Sequence, residues 1–190
     1  MQAPQTPAFF GSIPSGVDGV RATLRLMVNR CRKFLRPNSG SMKDAQRLLM
    51  IRRCAQELTY SIPEKDYWGE IAAIHAFVRD KIRYTSDMLD AETIQDPDYT
   101  LTVKSGDCDD KSMLFACLAN CIGYPTRFCA VGMPTLDDPS GDSFSHVSGQ
   151  ALIDGCGWVN AECIPIDEQG TKVELGWFPP QTTCVMLAHL

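Results

Sequence analysis

The chain has 190 residues, 44% of them hydrophobic and 22% charged, which is enough for one substantial core and short for two full domains. No stretch approaches the roughly 20 apolar residues of a membrane-spanning helix, and Met1-Gln2-Ala3-Pro4-Gln5 lacks the basic and apolar regions of a secretion signal, so a cytoplasmic protein is expected. The net charge of −5 argues against a nucleic-acid binder, yet ten basic residues and one acid, Asp44, lie between Arg21 and Arg53, giving +9 there and −14 elsewhere.

Nine cysteines do not read as a disulfide framework. Their number is odd, the chain is not small and no secretion signal is visible. A zinc site is disfavoured too, because there is no Cys-x-x-Cys pair and there are only three histidines. Most of these thiols are expected to be small core residues, with no metal and no cofactor.

Residues 1–17, rich in Pro, Gly, Ser and Gln, predict an extended N-terminal arm with Phe9 and Phe10 as anchors on this domain or on a partner. Residues 18–60 predict basic N-terminal helices. Val20, Leu24, Met27, Val28, Cys31 and Leu35 recur at helical spacing from about Asp18 to Leu35. Arg21, Arg25, Arg32 and Arg36 fall largely on another face, which is a solvated face or one that meets a counter-charged partner. Pro37-Asn38-Ser39-Gly40 breaks this helix, and Ser41, three residues before Asp44, caps a second that runs to about Leu58.

The remaining unit is 61–190. Pro63 opens it, and Tyr67, Trp68, Ile71, Ile74, Phe77, Val78 and Ile82 trace a third helix, with His75 read as a packed or hydrogen-bonded helix residue. From Tyr84 to Gly106 the pattern is irregular, and Pro97 excludes a long helix. A fourth helix follows from about Cys108 to Ile122, with Gly123 as its C′ residue. The periodicity then changes to alternation: Arg127–Val131, His146–Ile153, Trp158–Cys163 and Thr171–Leu175 are the expected strands. Helices followed by antiparallel strands make an α+β fold, with a helix packed on the sheet.

One cysteine stands apart. Cys108 falls where a loop turns into an apolar helix, and the unpaired N–H groups and dipole of a helix N-terminus favour a thiolate. Asp109 and Asp110 suit the first turn for the same reason, and are expected to point away from the thiol. His146 precedes a strand that turns back about Asp154-Gly155-Cys156-Gly157. A hairpin centred near Asp154 sets His146 opposite Glu162, give or take a residue, with Asn160 on the same face. An acid or amide beside an imidazole can hold its tautomer. Glu162 is the first choice for that place and Asn160 the second.

Gly106-Asp107-Cys108-Asp109-Asp110, followed by Leu118, Gly123 and Arg127, closely resembles the first core motif of the transglutaminase-like superfamily. His146 through Gly157-Trp158-Val159 resembles its second and third motifs, and Ile74-His75-Ala76-Phe77-Val78 with Ile82-Arg83-Tyr84 resembles the helix before the nucleophile. The resemblance spans residues 66 to 165. It implies a papain-like core in 61–190, with Cys108 as nucleophile, His146 as general base and acid, and Glu162 where Asp is usual. The Cys108 N–H is a natural oxyanion donor, and Gln95 is a candidate for the second. The implied chemistry is acyl transfer through a thioester: a peptidase or amidase when water resolves it, a transamidase when an amine does. The substrate would be a peptide or protein. Small single-domain members of this kind resemble microbial proteins and ones encoded by tailed phages. That suggests an alternative, a virion-associated particle or assembly component that docks through its arm and basic helix on an acidic protein surface.

Overall fold

Every residue from Asp109 to Ala119 is buried, so the helix that starts at Cys108 is enclosed on all sides, its polar first residues included. In the computed structural model, which describes residues 9–11, 16–37, 40–87, 92–134, 138–141, 143–165 and 170–190, this central helix is α5 (Cys108–Cys121). Among the described residues four helices precede it: α1 (Gly16–Leu35), α2 (Met42–Thr59), α3 (Tyr67–Lys81) and α4 (Pro97–Val103). Leu24, Met27 and Cys31 of α1, Ile51 and Ala55 of α2, and Ile71, Ile74 and Val78 of α3 join Leu114, Cys117 and Leu118 of α5 in one hydrophobic core.

Ser41 accepts from the Asp44 N–H at the start of α2, as its spacing predicts. At the start of α4, Pro97 occupies the first turn, where its missing N–H costs nothing. This seven-residue helix lies in the stretch expected to be irregular. Pro97 excludes a long helix but suits the start of a short one.

The strands are β1 (Phe9–Gly11), β2 (Arg83–Tyr84), β3 (Glu92–Ile94), β4 (Ser105–Gly106), β5 (Thr126–Gly132), β6 (Phe144–Ile153), β7 (Gly157–Ala161) and β8 (Cys184–His189). The main sheet is antiparallel, in the order β7-β6-β5-β8, and α5 packs on β6 and β5. This is the α+β arrangement expected, with extra helices before it. The described piece of the arm is β1, which pairs with β3 of this same chain, Phe9 opposite Ile94. The rest of 1–15 lies outside the described residues.

The strand expected at Thr171–Leu175 is not formed. That segment is irregular backbone held by burial of Val173 and Leu175 and by the Arg79 guanidinium, which donates to the Val173 carbonyl. Its alternation records packing, not pairing. The place beside β5 is taken by β8.

Helix and sheet approach each other tightly at Gly149. A Cβ there would come within 2.6 Å of Phe115 Cδ1, so only glycine lets α5 lie this near β6. Among the described residues no helix is long and apolar enough to cross a membrane.

Candidate active site

Cys108 is the first residue of α5. Asp107 caps the helix: its carboxylate accepts from the Asp110 N–H at 3.1 Å, and Asp110 Oδ2 reaches back to the Asp107 N–H at 3.4 Å. This reciprocal pair is a capping box built from two aspartates. The other Asp110 oxygen accepts the Gln95 main-chain N–H at 2.7 Å, which ties the loop before α4 to the start of α5. Burial, and then the charge of Asp107, hold the Asp110 carboxyl well above the usual carboxylate range.

The end of β7 brings the helix start against β6. The β6–β7 ladder closes at Gly149 opposite Ala161. In an antiparallel strand alternate residues aim N–H and C=O to the same side, so those of Val147 extend past the end of β7 with no strand to pair. Groups near the start of α5 meet them. Ser112 Oγ donates to the Val147 carbonyl at 3.2 Å, and the Val147 N–H lies near enough to the Cys108 thiol to favour its thiolate. Cys108 therefore sits against the residue that follows His146.

His146 lies on β6 opposite Val131 of β5, beside a break in the pairing register between Val131 and Gly132. Its Nε2 meets Glu162 Oε2 at 2.6 Å, with the two side chains 8% and 3% exposed. The second carboxylate oxygen of Glu162 accepts the Ile164 N–H at 3.0 Å, and its main-chain carbonyl accepts from His75 Nε2 at 2.6 Å. The pairing register continues to Ser148, not His146, as the residue across from Glu162. The contact is therefore diagonal, two residues from the expected opposition, and glutamate's extra methylene serves that reach. With Nε2 committed to Glu162, the ring nitrogen not engaged with that carboxylate is Nδ1.

Asn160 goes elsewhere. Its Oδ1 accepts from Ser148 Oγ at 2.7 Å and Gln150 Nε2 at 3.3 Å, and its Nδ2 donates to the Trp177 carbonyl at 2.9 Å. It fastens the segment before β8 to the sheet, as does the Gly176 N–H on its main-chain carbonyl. Gln95 meets the start of α5 through its main-chain N–H on Asp110, and its Oε1 accepts from Thr100 Oγ1 at 3.3 Å.

The two acids after Cys108 behave differently. Asp110 turns away to Gln95 and Asp107, as expected. Asp109 does not: the Cys108 thiol donates to its Oδ1 at 3.7 Å. Burial, and then the charges of Asp109 and Asp107, push the thiol up, while the Val147 N–H pulls it down. Asp109 is itself buried, so water screens its charge at the sulfur less than it would at the surface.

Two further residues border this centre. Tyr84 pairs with Gly106 between β2 and β4, and its phenol is pushed up by burial and then by the charges of Cys108, Asp107 and Asp87. Lys111, 1% exposed, donates from Nζ to the Ile82 carbonyl at 2.7 Å and closes the C-terminal end of α3. The sequence carries no sign of this buried lysine's partner, which lies 29 residues earlier. Among the described residues, no group of three or more His, Cys, Asp or Glu could hold a metal ion.

Residues 52–163 match the model of the transglutaminase-like superfamily. No curated protein matches the sequence. Two solved structures share the fold. One, from Parabacteroides distasonis and provisionally named a protease, is 17% identical, with a TM-score of 0.55 over 94% of this chain and 37% of its own. The other, from Cytophaga hutchinsonii and provisionally named a cysteine protease, is 19% identical, with a TM-score of 0.50 over 84% of this chain and 56% of its own. The chain thus spans from about a third to just over half the length of these neighbours.

Proposed function

The chain belongs to the transglutaminase-like superfamily, and from that premise we propose that it is a cysteine-dependent acyl-transfer enzyme working through Cys108, His146 and Glu162. The observation that carries the proposal is the 2.6 Å contact between His146 Nε2 and the buried Glu162 carboxylate, one residue from Val147, whose carbonyl accepts from Ser112 of the Cys108 helix at 3.2 Å.

The chemistry follows from those positions. His146 Nδ1 takes the proton of the Cys108 thiol, and the resulting imidazolium is balanced by Glu162. Sγ attacks a carboxamide or peptide carbonyl carbon. The oxyanion is received by the Cys108 N–H, which has no intrahelical partner at the first position of α5, with the side-chain amide nitrogen of Gln95 as second donor. The carbon–nitrogen bond breaks as His146 returns the proton to the leaving amine, and a thioester remains. Water then releases the acid, or an amine forms a new amide. Hydrolysis is favoured by the two structural neighbours, both named as proteases; a peptide or protein is the substrate class, and the chemistry needs no cofactor.

Acylation is tested with an activated ester and intact-mass analysis. An acyl adduct localised to Cys108, absent in Cys108→Ala and His146→Ala, supports the reading. No adduct on the native chain overturns it.

A second reading, docking on an acidic protein surface, is favoured by Arg21, Arg25, Arg32 and Arg36, all exposed on α1 or at its end. Binding of an acidic protein that survives Cys108→Ala and is lost when these arginines become Gln would support it.

A further inference from the structure

Glu162 lies one residue beyond the end of β7, and its main-chain groups, like those of Asn160, face away from β6. A carboxylate that must orient an imidazole cannot rest on a loose strand end, because its side chain carries any backbone rotation directly to His146. Three contacts replace the missing ladder: Ile164 N–H on Oε1, His146 on Oε2 and His75 on the main-chain carbonyl. Only the last anchors the peptide group to a different layer of the molecule.

His75 sits on α3, 1% exposed, between Ile74 and Val78, which are part of the core. Its Nε2 is 2.6 Å from the Glu162 carbonyl. A carbonyl only accepts, so Nε2 carries the hydrogen and the bond holds one tautomer. Burial, and then the Arg79 charge, disfavour the imidazolium, while the bond itself and the charges of Glu174 and Glu162 act the other way. A buried histidine whose hydrogen bond falls on the acid of the proposed triad has a narrower task than filling space.

We infer that His75 is a positioning residue: its Nε2–H holds the Glu162 carbonyl, and through it the angle at which the Glu162 carboxylate meets His146. The inference rests on the triad reading above. It assigns to α3 the work of aligning the acid, while α5 aligns the nucleophile and β6 the base. A change at α3 then reaches Cys108 without touching it.

The test compares His75→Asn and His75→Gln, which keep an N–H donor, with His75→Leu, which keeps the apolar volume and removes the donor. The readout is the pH dependence of Cys108 alkylation by iodoacetamide in the full chain, with thermal unfolding measured alongside. His75→Leu should move the profile toward that of Glu162→Gln, lowering the rate near neutral pH by about tenfold, as a thiol pKa higher by one would. At least one donor-bearing variant should restore most of the rate. If His75→Leu lowers the melting temperature but leaves the profile on that of the native chain, His75 is structural only and the inference is overturned. Should His75→Leu not fold, a donor-bearing variant that folds with its profile displaced as far as that of Glu162→Gln overturns it equally. A native profile that His146→Ala does not change defeats the triad reading instead, so the two failures are distinguishable.

Discussion

The carboxylate of Glu162 reaches the imidazole of His146 diagonally, from the position that the register sets across from Ser148. Aspartate, one methylene shorter, would not span the same offset from the same backbone. Glu162→Asp should therefore behave almost as Glu162→Gln, with acyl transfer reduced roughly 10³-fold or more, the scale on which triad acids act. Single-turnover acylation of Cys108 checks this. Asn160→Ala is the control. It should cost about 1–3 kcal/mol of stability by stranding Ser148, Gln150 and the Trp177 carbonyl and leave the acylation rate near that of the native chain.

Asp109 accepts the Cys108 S–H and raises the thiol by its charge. Asp109→Asn keeps the shape and removes the charge. The thiol pKa should fall, and alkylation near neutral pH should speed up severalfold, reaching about tenfold if the pKa drops by one. A slower rate would mean that Asp109 activates the sulfur instead of restraining it.

Gly149 gives α5 its close seat on β6. Gly149→Ala places a methyl group within 2.6 Å of Phe115 Cδ1, an overpacking expected to cost about 1–3 kcal/mol. Phe115→Leu should recover part of that loss, and the coupling is measurable as a double-mutant cycle in urea unfolding. The same substitution should slow acylation, since lifting α5 carries Cys108 off Val147.

The raised Asp110 carboxyl makes a pH prediction. A group whose folded pKa lies above its unfolded value contributes stability that is complete below the unfolded pKa and lost as pH rises through the folded one. The cause here is burial and then Asp107, so stability attributable to Asp110 should decline from the ordinary carboxylate range upward. Its slope is at most about 1.4 kcal/mol per pH unit. Urea unfolding across this range checks it, and Asp110→Asn should flatten the curve.

Much of the architecture is legible in the sequence because local chemistry decides it. The Ser41 cap, the glycine after α5 (Gly123, φ +103°) and the Cys108 helix start are short-range features, and the structure repeats them. The pairing of His146 with Glu162 is legible only as a neighbourhood. Turn composition places a hairpin but leaves its register open by a residue or two, and here the offset makes the contact diagonal. β8 escapes a sequence reading because it lies beyond an irregular segment whose Val173 and Leu175 alternate like a strand, while its own partner, β5, is more than fifty residues away. Asp109 turns toward the thiol in a geometry that charge repulsion alone would not suggest. His75 is legible as a bonded helix residue; its partner, 87 positions later, is not.

The central claim is that His146 controls the protonation of Cys108. Burial and two neighbouring aspartates favour the neutral thiol, so on the proposed reading thiolate near neutral pH depends on the imidazole. The direct measurement is the alkylation rate of Cys108 against pH in the native chain and in His146→Ala. The native profile should be half-maximal about one pH unit lower, or about tenfold faster at neutrality. Profiles that superimpose would contradict the account.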